Sequence, residues 1–386
     1  MILNEHARCK ILPVASGKGG VGKSVLVANL GISLASFGQR TVLVDLDLGG
    51  SNLHTYLGMK NRHRGIGNFI SDRDVSFSDV KIRTPYPNLD FVPGDVLVPG
   101  TANMTHGQKR SVIRNIEKLD ADYVLLDLGS GSHFNTLDFF LMSNSGFLVS
   151  TPQAPAILNA YGFLKNAVFR LLQQTFSGHK GISRFLSDIV KEQEPNSTPS
   201  IRKILDGVRK ISKREVKRGE EAIASLKPSL IVSMGDRPED MEIVQSLRTL
   251  IEQNLSVDPI CLGFLYYDYI VREAVGDTVP LALVGRESLI LKEIDRLAQK
   301  IVHSDNFPEM PLDVEEYEDS FGLATIEAED DYKDINPHPH TRMDQQPDEA
   351  TAEEFIRLIT AQKQEIKDLQ NTVRALTLQK GNSPWI

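Results

Sequence analysis

Residues 16–24 read Ser-Gly-Lys-Gly-Gly-Val-Gly-Lys-Ser, and Gly17 through Ser24 satisfy the pattern G-x-x-x-x-G-K-[ST]. Gly17, Gly19, Gly20 and Gly22 let backbone N–H groups converge on phosphate oxygens that a Cβ would hold at a distance. In such a loop Lys23 reaches the β- and γ-phosphates, Ser24 offers a hydroxyl to Mg²⁺, and Val21 completes the cradle. Lys18 is a second lysine that the cradle does not need. Two further stretches carry carboxylates. Val42-Leu-Val-Asp45-Leu-Asp47 sets two acids two residues apart at the end of an apolar run and continues through Gly49 and Gly50 to Asn52. Tyr123-Val-Leu-Leu-Asp127-Leu-Gly129-Ser-Gly131 ends a second apolar run on an acid followed by glycines, the form of a Walker B carboxylate with a mobile loop after it. Either acid alone reads as a capping aspartate; after a phosphate loop, in this order, they read as a Mg²⁺–phosphate site.

Such side chains need a rigid frame. Ile11–Ser16 is a short apolar run entering the glycines, and Val25–Leu34 continues as a buried helix, so strand, loop and helix aim a helix N-terminus at phosphate. Further strands are expected at Thr41–Asp45, Leu89–Val92, Tyr123–Asp127, Gly146–Ser150, Leu230–Ser233 and Ile260–Leu265. They are rich in Val, Ile and Leu without alternation, as in a parallel sheet covered on both faces. Helical stretches between them predict an α/β, doubly wound, mostly parallel sheet, with all three motifs at the carboxyl ends of strands.

These motifs resemble the MinD/ParA family of deviant-Walker P-loop ATPases. The resemblance rests on Gly17–Ser24, Asp45–Asn52 and Asp127–Gly131, with Lys23 24 residues before Asp47 and 104 before Asp127, and covers about residues 8–173 and 228–302. Gly263-Phe-Leu-Tyr-Tyr-Asp268-Tyr-Ile-Val-Arg-Glu-Ala274 resembles a segment of the FlhG/MinD-like branch. The resemblance implies SIMIBI-type topology, ATP and Mg²⁺ as ligands, and slow hydrolysis of ATP in a homodimer. It implies that Lys18 reaches the nucleotide of the second copy, as an arginine finger does. It further implies that Asp47 positions the attacking water, Asp45 supports the Mg²⁺ shell and its loop, and Asp127 holds the Mg²⁺ water shell. Gly129 and Gly131 let their loop respond to the γ-phosphate, and Asn52 faces the second subunit. The implied role is a switch that positions or numbers a flagellum or division site at the membrane; the alternative is a ParA-like partitioning ATPase associated with DNA. A scaffold without catalysis is opposed by the intact Lys18, Asp47 and Asp127. The chain departs from relatives at Ser24-Val25, at Thr151-Pro152-Gln153 and at Ser233-Met234, so base-recognition residues do not carry over.

Composition narrows the classes. Only two cysteines, Cys9 and Cys261, occur in 386 residues, which excludes a disulfide framework or iron–sulfur ligand set and fits a reducing cytoplasm. No apolar stretch of membrane-spanning length is present, so any membrane contact is expected to be peripheral, on the inner face of the plasma membrane. The net charge of −8 hides an asymmetry: residues 305–354 carry 17 Asp/Glu against 2 Lys/Arg. The ATPase domain is expected over 1–304, an acidic disordered linker over 305–350 and a coiled-coil helix over 351–380, where Phe355, Ile359, Gln362, Ile366, Leu369, Val373, Leu376 and Lys380 follow a heptad seam. Residues 174–227 form a helical insertion. Within it, 201–218 hold 8 Lys/Arg and 2 Asp/Glu around apolar Ile201, Ile204, Leu205, Val208 and Ile211. That makes Ile201–Ser225 a basic amphipathic helix, open to four readings: packed on its own body, resting on a membrane, binding DNA, or binding a protein partner as the coiled coil could.

Overall fold

The computed structural model describes residues 9–60, 63–94, 104–191, 200–276, 279–284, 287–303 and 320–335. Eight strands form one sheet: β1 (Lys10–Ser16), β2 (Thr41–Leu46), β3 (Ile82–Arg83), β4 (Leu89–Val92), β5 (Tyr123–Leu128), β6 (Phe147–Ser150), β7 (Ser229–Gly235) and β8 (Ile260–Tyr266). Their order is β3-β4-β2-β5-β1-β6-β7-β8, parallel except for the antiparallel edge strand β3. The seven longer strands match the expected runs to within two residues at either end. β3 is the addition, since two residues leave no periodicity to read.

Strand order reverses at β1: β2 and β5 lie on one side and β6 on the other. That is the switch point at which a doubly wound sheet opens a crevice beyond its strand ends. On one face Leu12 and Val14 of β1 pack with Leu26, Leu30 and Leu34 of helix α1 (Lys23–Ser36). On the other, Ala15 joins the core with Ala160, Phe163 and Leu164 of a later helix.

Between β2 and β5 run α2 (Leu53–Tyr56), α3 (Ile66–Ser71) and α4 (His106–Ile116); α5 (Phe134–Phe140) then leads to β6 and α6 (Ala154–Thr175). The insertion follows as α7 (Lys180–Lys191), α8 (Ile201–Ile211) and α9 (Lys213–Ala224). The single basic helix expected over 201–225 is therefore two. Ser212 is extended (φ −153°, ψ 112°), ends α8 and caps α9 by accepting from the Glu215 N–H at 3.4 Å. Its signal was in the sequence as Ser-x-x-Glu, a capping box that stops one helix by starting another. Ile201, Ile204, Val208, Val216 and Ile223 are buried against the body, so the apolar stripe is used for packing, one of the four readings.

After β7 come α10 (Asp240–Leu255), then, beyond β8, α11 (Tyr269–Gly276), α12 (Leu281–Val284), α13 (Leu289–His303) and α14 (Ser320–Ile335). Over 320–335, α14 corrects the expectation of a disordered linker; the rest of 305–350 lies outside the described residues. Phe321, Ala324 and Ala328, at helical spacing, are buried, with the Arg248 guanidinium 4.7 Å from the Phe321 ring. Arg296 of α13 grips Asp331 with two bonds of 2.7 and 2.9 Å, Lys300 holds Glu327 at 2.7 Å, and the Tyr266 hydroxyl donates to the Ala328 carbonyl at 2.5 Å. Acidity signalled disorder because composition weighs each acid alone; here two acids meet cations some thirty residues upstream. The expected coiled coil over 351–380 lies outside the described residues. No helix among the described residues is long and apolar enough to cross a membrane.

Candidate active site

The site is assembled by three adjacent strands. β2 pairs with β5 so that Asp45 stands opposite Asp127, and β5 pairs with β1 so that Asp127 stands opposite Val14, three residues before the glycine loop. Asp45, Asp127 and the loop thus meet at one sheet end although up to 110 residues separate them in sequence.

The loop has the backbone that its glycines permit. Gly20 (φ +82°) and Gly22 (φ +83°) are left-handed, and Gly22 opens α1 without a side-chain cap, leaving first-turn N–H groups directed into the crevice. Gly17 is required for a different reason. A Cβ there would lie 2.3 Å from the backbone C and O of Asn159, so the loop is seated directly on α6. The Ser16 hydroxyl donates to the Lys18 carbonyl at 2.9 Å, and the Gly131 N–H donates to the Ser16 carbonyl at 3.1 Å, tying the loop to the one after β5. Lys18, Gly19 and Gly20 are exposed, Val21 is buried, and Ser24 is half-buried in the first turn of α1.

The carboxylates differ in what they touch. Asp127 is buried; one oxygen accepts from the Lys23 ammonium, while Oδ2 has no hydrogen-bond partner among the described residues. Asp45 is also buried, but its oxygens are occupied by its own loop: Oδ1 accepts from Asp47 N–H at 3.1 Å, Oδ2 from the Ser51 hydroxyl at 2.7 Å and Leu53 N–H at 3.2 Å. Burial, with the Asp127 charge behind it, pushes Asp45 up to about 7 against the pull of these bonds. Asp47 is half-buried and lies over the loop after β5: a Cβ on Gly129 would stand 3.3 Å from its Oδ1. Gly131 is left-handed (φ +83°). Asn52, between the two residues that bond Asp45, is exposed at the start of α2. Of the expected residues, the structure brings Lys23, Asp127, Asp45, Asp47 and Gly129 together and leaves Lys18 and Asn52 facing out.

The donor set fits a Mg²⁺-bound nucleotide. A buried carboxylate oxygen without a partner, a lysine that can leave it for phosphate, a helix-end hydroxyl on Ser24 and a glycine cradle are what such a ligand needs. Sequence reading did not find Ser51, which locks Asp45, or the left-handed Met234 (φ +60°) beside Gly22, whose Cβ would stand 3.1 Å from Ser233 Oγ. It also missed the buried pair Lys109 and Asp138 with the half-buried Arg170 beside them. Lys109 and Arg170 both donate to Asp138, Arg170 at 2.6 and 3.0 Å, and these two cations border a cleft of about 640 Å³ that Asp47, Gly129 and Ser130 also line.

Glycine loop, paired strand-end acids and switch-point crevice define a P-loop ATPase fold. Residues 12–280 match the CobQ/CobB/MinD/ParA nucleotide binding domain, and the chain belongs to that family. A septum site-determining protein MinD of Thermotoga maritima is 30% identical over 200 residues, 50% of this chain and 71% of that one. A MinD protein of Oltmannsiellopsis viridis is 28% identical over 199 residues, which span 51% of this chain but only 61% of the relative. In structure the chain is similar to the septum site-determining MinD of Pyrococcus horikoshii, solved with Mg-ADP, with a TM-score of 0.52 and 19% identity over 78% of this chain and 99% of that one.

Proposed function

We propose that the protein is an ATP hydrolase that works as a dimerising switch and positions a cellular structure, a division site or flagellum, from the inner face of a membrane. The observation that carries this is the convergence of Lys23, Asp127, Asp45 and Asp47 on the glycine loop while Lys18 stays exposed. Ser24 and Asp127 would hold Mg²⁺, which would supply charge neutralisation at the phosphates. The Lys23 ammonium can leave Asp127 for phosphate, which frees the Asp127 carboxylate for that role. Asp47 orients the attacking water from the edge of the crevice, and Asp45 holds the Asp47–Leu53 loop in register through Ser51 and Leu53. Gly129 lies under Asp47, so a shift of either loop is felt by the other. The Lys18 side chain has no hydrogen bond or ion pair among the described residues and serves the nucleotide of a second copy. That nucleotide faces it only when two ATP-bound subunits close.

The test compares wild type and Asp47→Ala by ATP turnover and by sedimentation with ATP and with ADP. Wild type should turn over slowly and dimerise only with ATP; Asp47→Ala should lose turnover yet dimerise more persistently. Unchanged turnover in Asp47→Ala removes this assignment of the attacking water.

A further inference from the structure

The insertion carries a charged surface for which the nucleotide site has no use. The apolar faces of α8 and α9 are buried, so neither helix is available to lie in a bilayer along its length. What remains outside is cationic. Arg202, Lys203, Lys210, Lys213 and Arg214 are exposed and form no ion pair among the described residues, and the same holds for Lys180 at the start of α7. The nearby acids are already engaged: Asp206 and Glu220 with Arg209, Glu215 with Arg218, Glu221 with Lys217, Asp188 with Arg184. The surface charge around the α8–α9 turn is therefore uncompensated.

At that turn stands Ile211, 43% exposed, between Lys210 and the Lys213-Arg214 pair. Its Cγ2 lies 3.6 Å from where a Cβ on Gly181 would stand, which brings the start of α7, with Lys180, to the same spot. An exposed aliphatic among cations is poorly matched to a nucleic-acid backbone. There it would strip water from phosphates and return no hydrogen bond. It is well matched to a headgroup layer, where the methyls enter the apolar boundary and the long cationic side chains remain at the phosphates.

We propose that the α8–α9 turn, together with the start of α7, docks on an anionic lipid surface through Lys180, Lys210, Ile211, Lys213 and Arg214. This deepens the membrane placement proposed above and rests on that part of it. Attraction falls off within a Debye length, so the contact is reversible and sensitive to salt.

The experiment is flotation of the full chain with phosphatidylcholine vesicles, with and without phosphatidylglycerol, for wild type, the triple variant Lys210→Gln/Lys213→Gln/Arg214→Gln, and Ile211→Ser. Wild type should bind only the vesicles containing phosphatidylglycerol and be released by high salt. At about fivefold per cation, the triple variant should partition roughly 100-fold more weakly. Ile211→Ser should weaken partitioning several-fold, with circular dichroism and ATP turnover unchanged in both variants. The proposal is overturned if wild type ignores anionic vesicles, or if the triple variant binds them as wild type does. It is equally overturned if the triple variant loses affinity for duplex DNA while keeping its affinity for vesicles. Absence of ATP turnover in wild type would instead remove the proposed function and leave the vesicle result standing.

Discussion

Glu293 on α13 is 2% exposed, and among the described residues its carboxylate is met by one hydrogen bond donor, the Tyr266 N–H at 3.1–3.2 Å. Burial and then the charge of Asp331 raise it from an ordinary value of 4.5 to about 9, only partly opposed by Tyr266 and Arg296. The unfolded chain releases this proton near 4.5, whereas the folded chain keeps it until about 9. Between those values the folded state binds more protons, so stability falls as pH rises, by at most about 1.4 kcal/mol per pH unit from this group. From about pH 5.5 to about pH 8.5 the loss is roughly 4 kcal/mol, a large part of a domain's stability. Glu293→Gln keeps the shape and the acceptor for Tyr266 but carries no titrating proton. Urea unfolding followed at 222 nm at both pH values, in wild type and variant, isolates the difference because all other groups are shared. The variant's advantage over wild type should be about 1 kcal/mol at the acid end and grow to several kcal/mol at the alkaline end. A constant difference across pH would refute the reasoning.

Gly17→Ala places a methyl within 2.3 Å of the α6 backbone, so the loop must lift; affinity for a fluorescent ATP analogue should fall at least tenfold, on the order of the cost of overpacking. Phe321→Ala removes the largest side chain that α14 buries, a change of about 3–5 kcal/mol. Trypsin should then cut early at Lys333 within the loosened α14 while ATP turnover persists; protection equal to wild type would show that the ion pairs to Arg296 and Lys300 hold the helix alone.

The sheet was legible because its strands are unbroken runs of Val, Ile and Leu, and the P-loop because each glycine answers a local backbone need that Gly17, Gly20 and Gly22 display. Asp45, Asp47 and Asp127 could be named from their place at strand ends. Their different states could not. That Asp45 is tied to Ser51 and Leu53, while Asp127 holds Lys23, depends on strand pairing across some eighty residues. α14 was missed for the same reason in reverse: its acids are satisfied by Arg296 and Lys300, which local composition cannot see. The break at Ser212 was readable and was overridden by the continuous apolar spacing on either side of it.

The central claim is that Lys18, exposed and outside its own cradle, acts on the nucleotide of a second subunit. The most direct measurement is on Lys18→Ala: ATP affinity of the monomer, mass by sedimentation with ATP, and turnover, each beside wild type. ATP affinity should stay within about twofold, while ATP-dependent dimerisation is lost and turnover falls by two or more orders of magnitude, within the range for a charge supplied in trans. A Lys18→Ala protein that still dimerises with ATP and hydrolyses it at the wild-type rate would contradict the account.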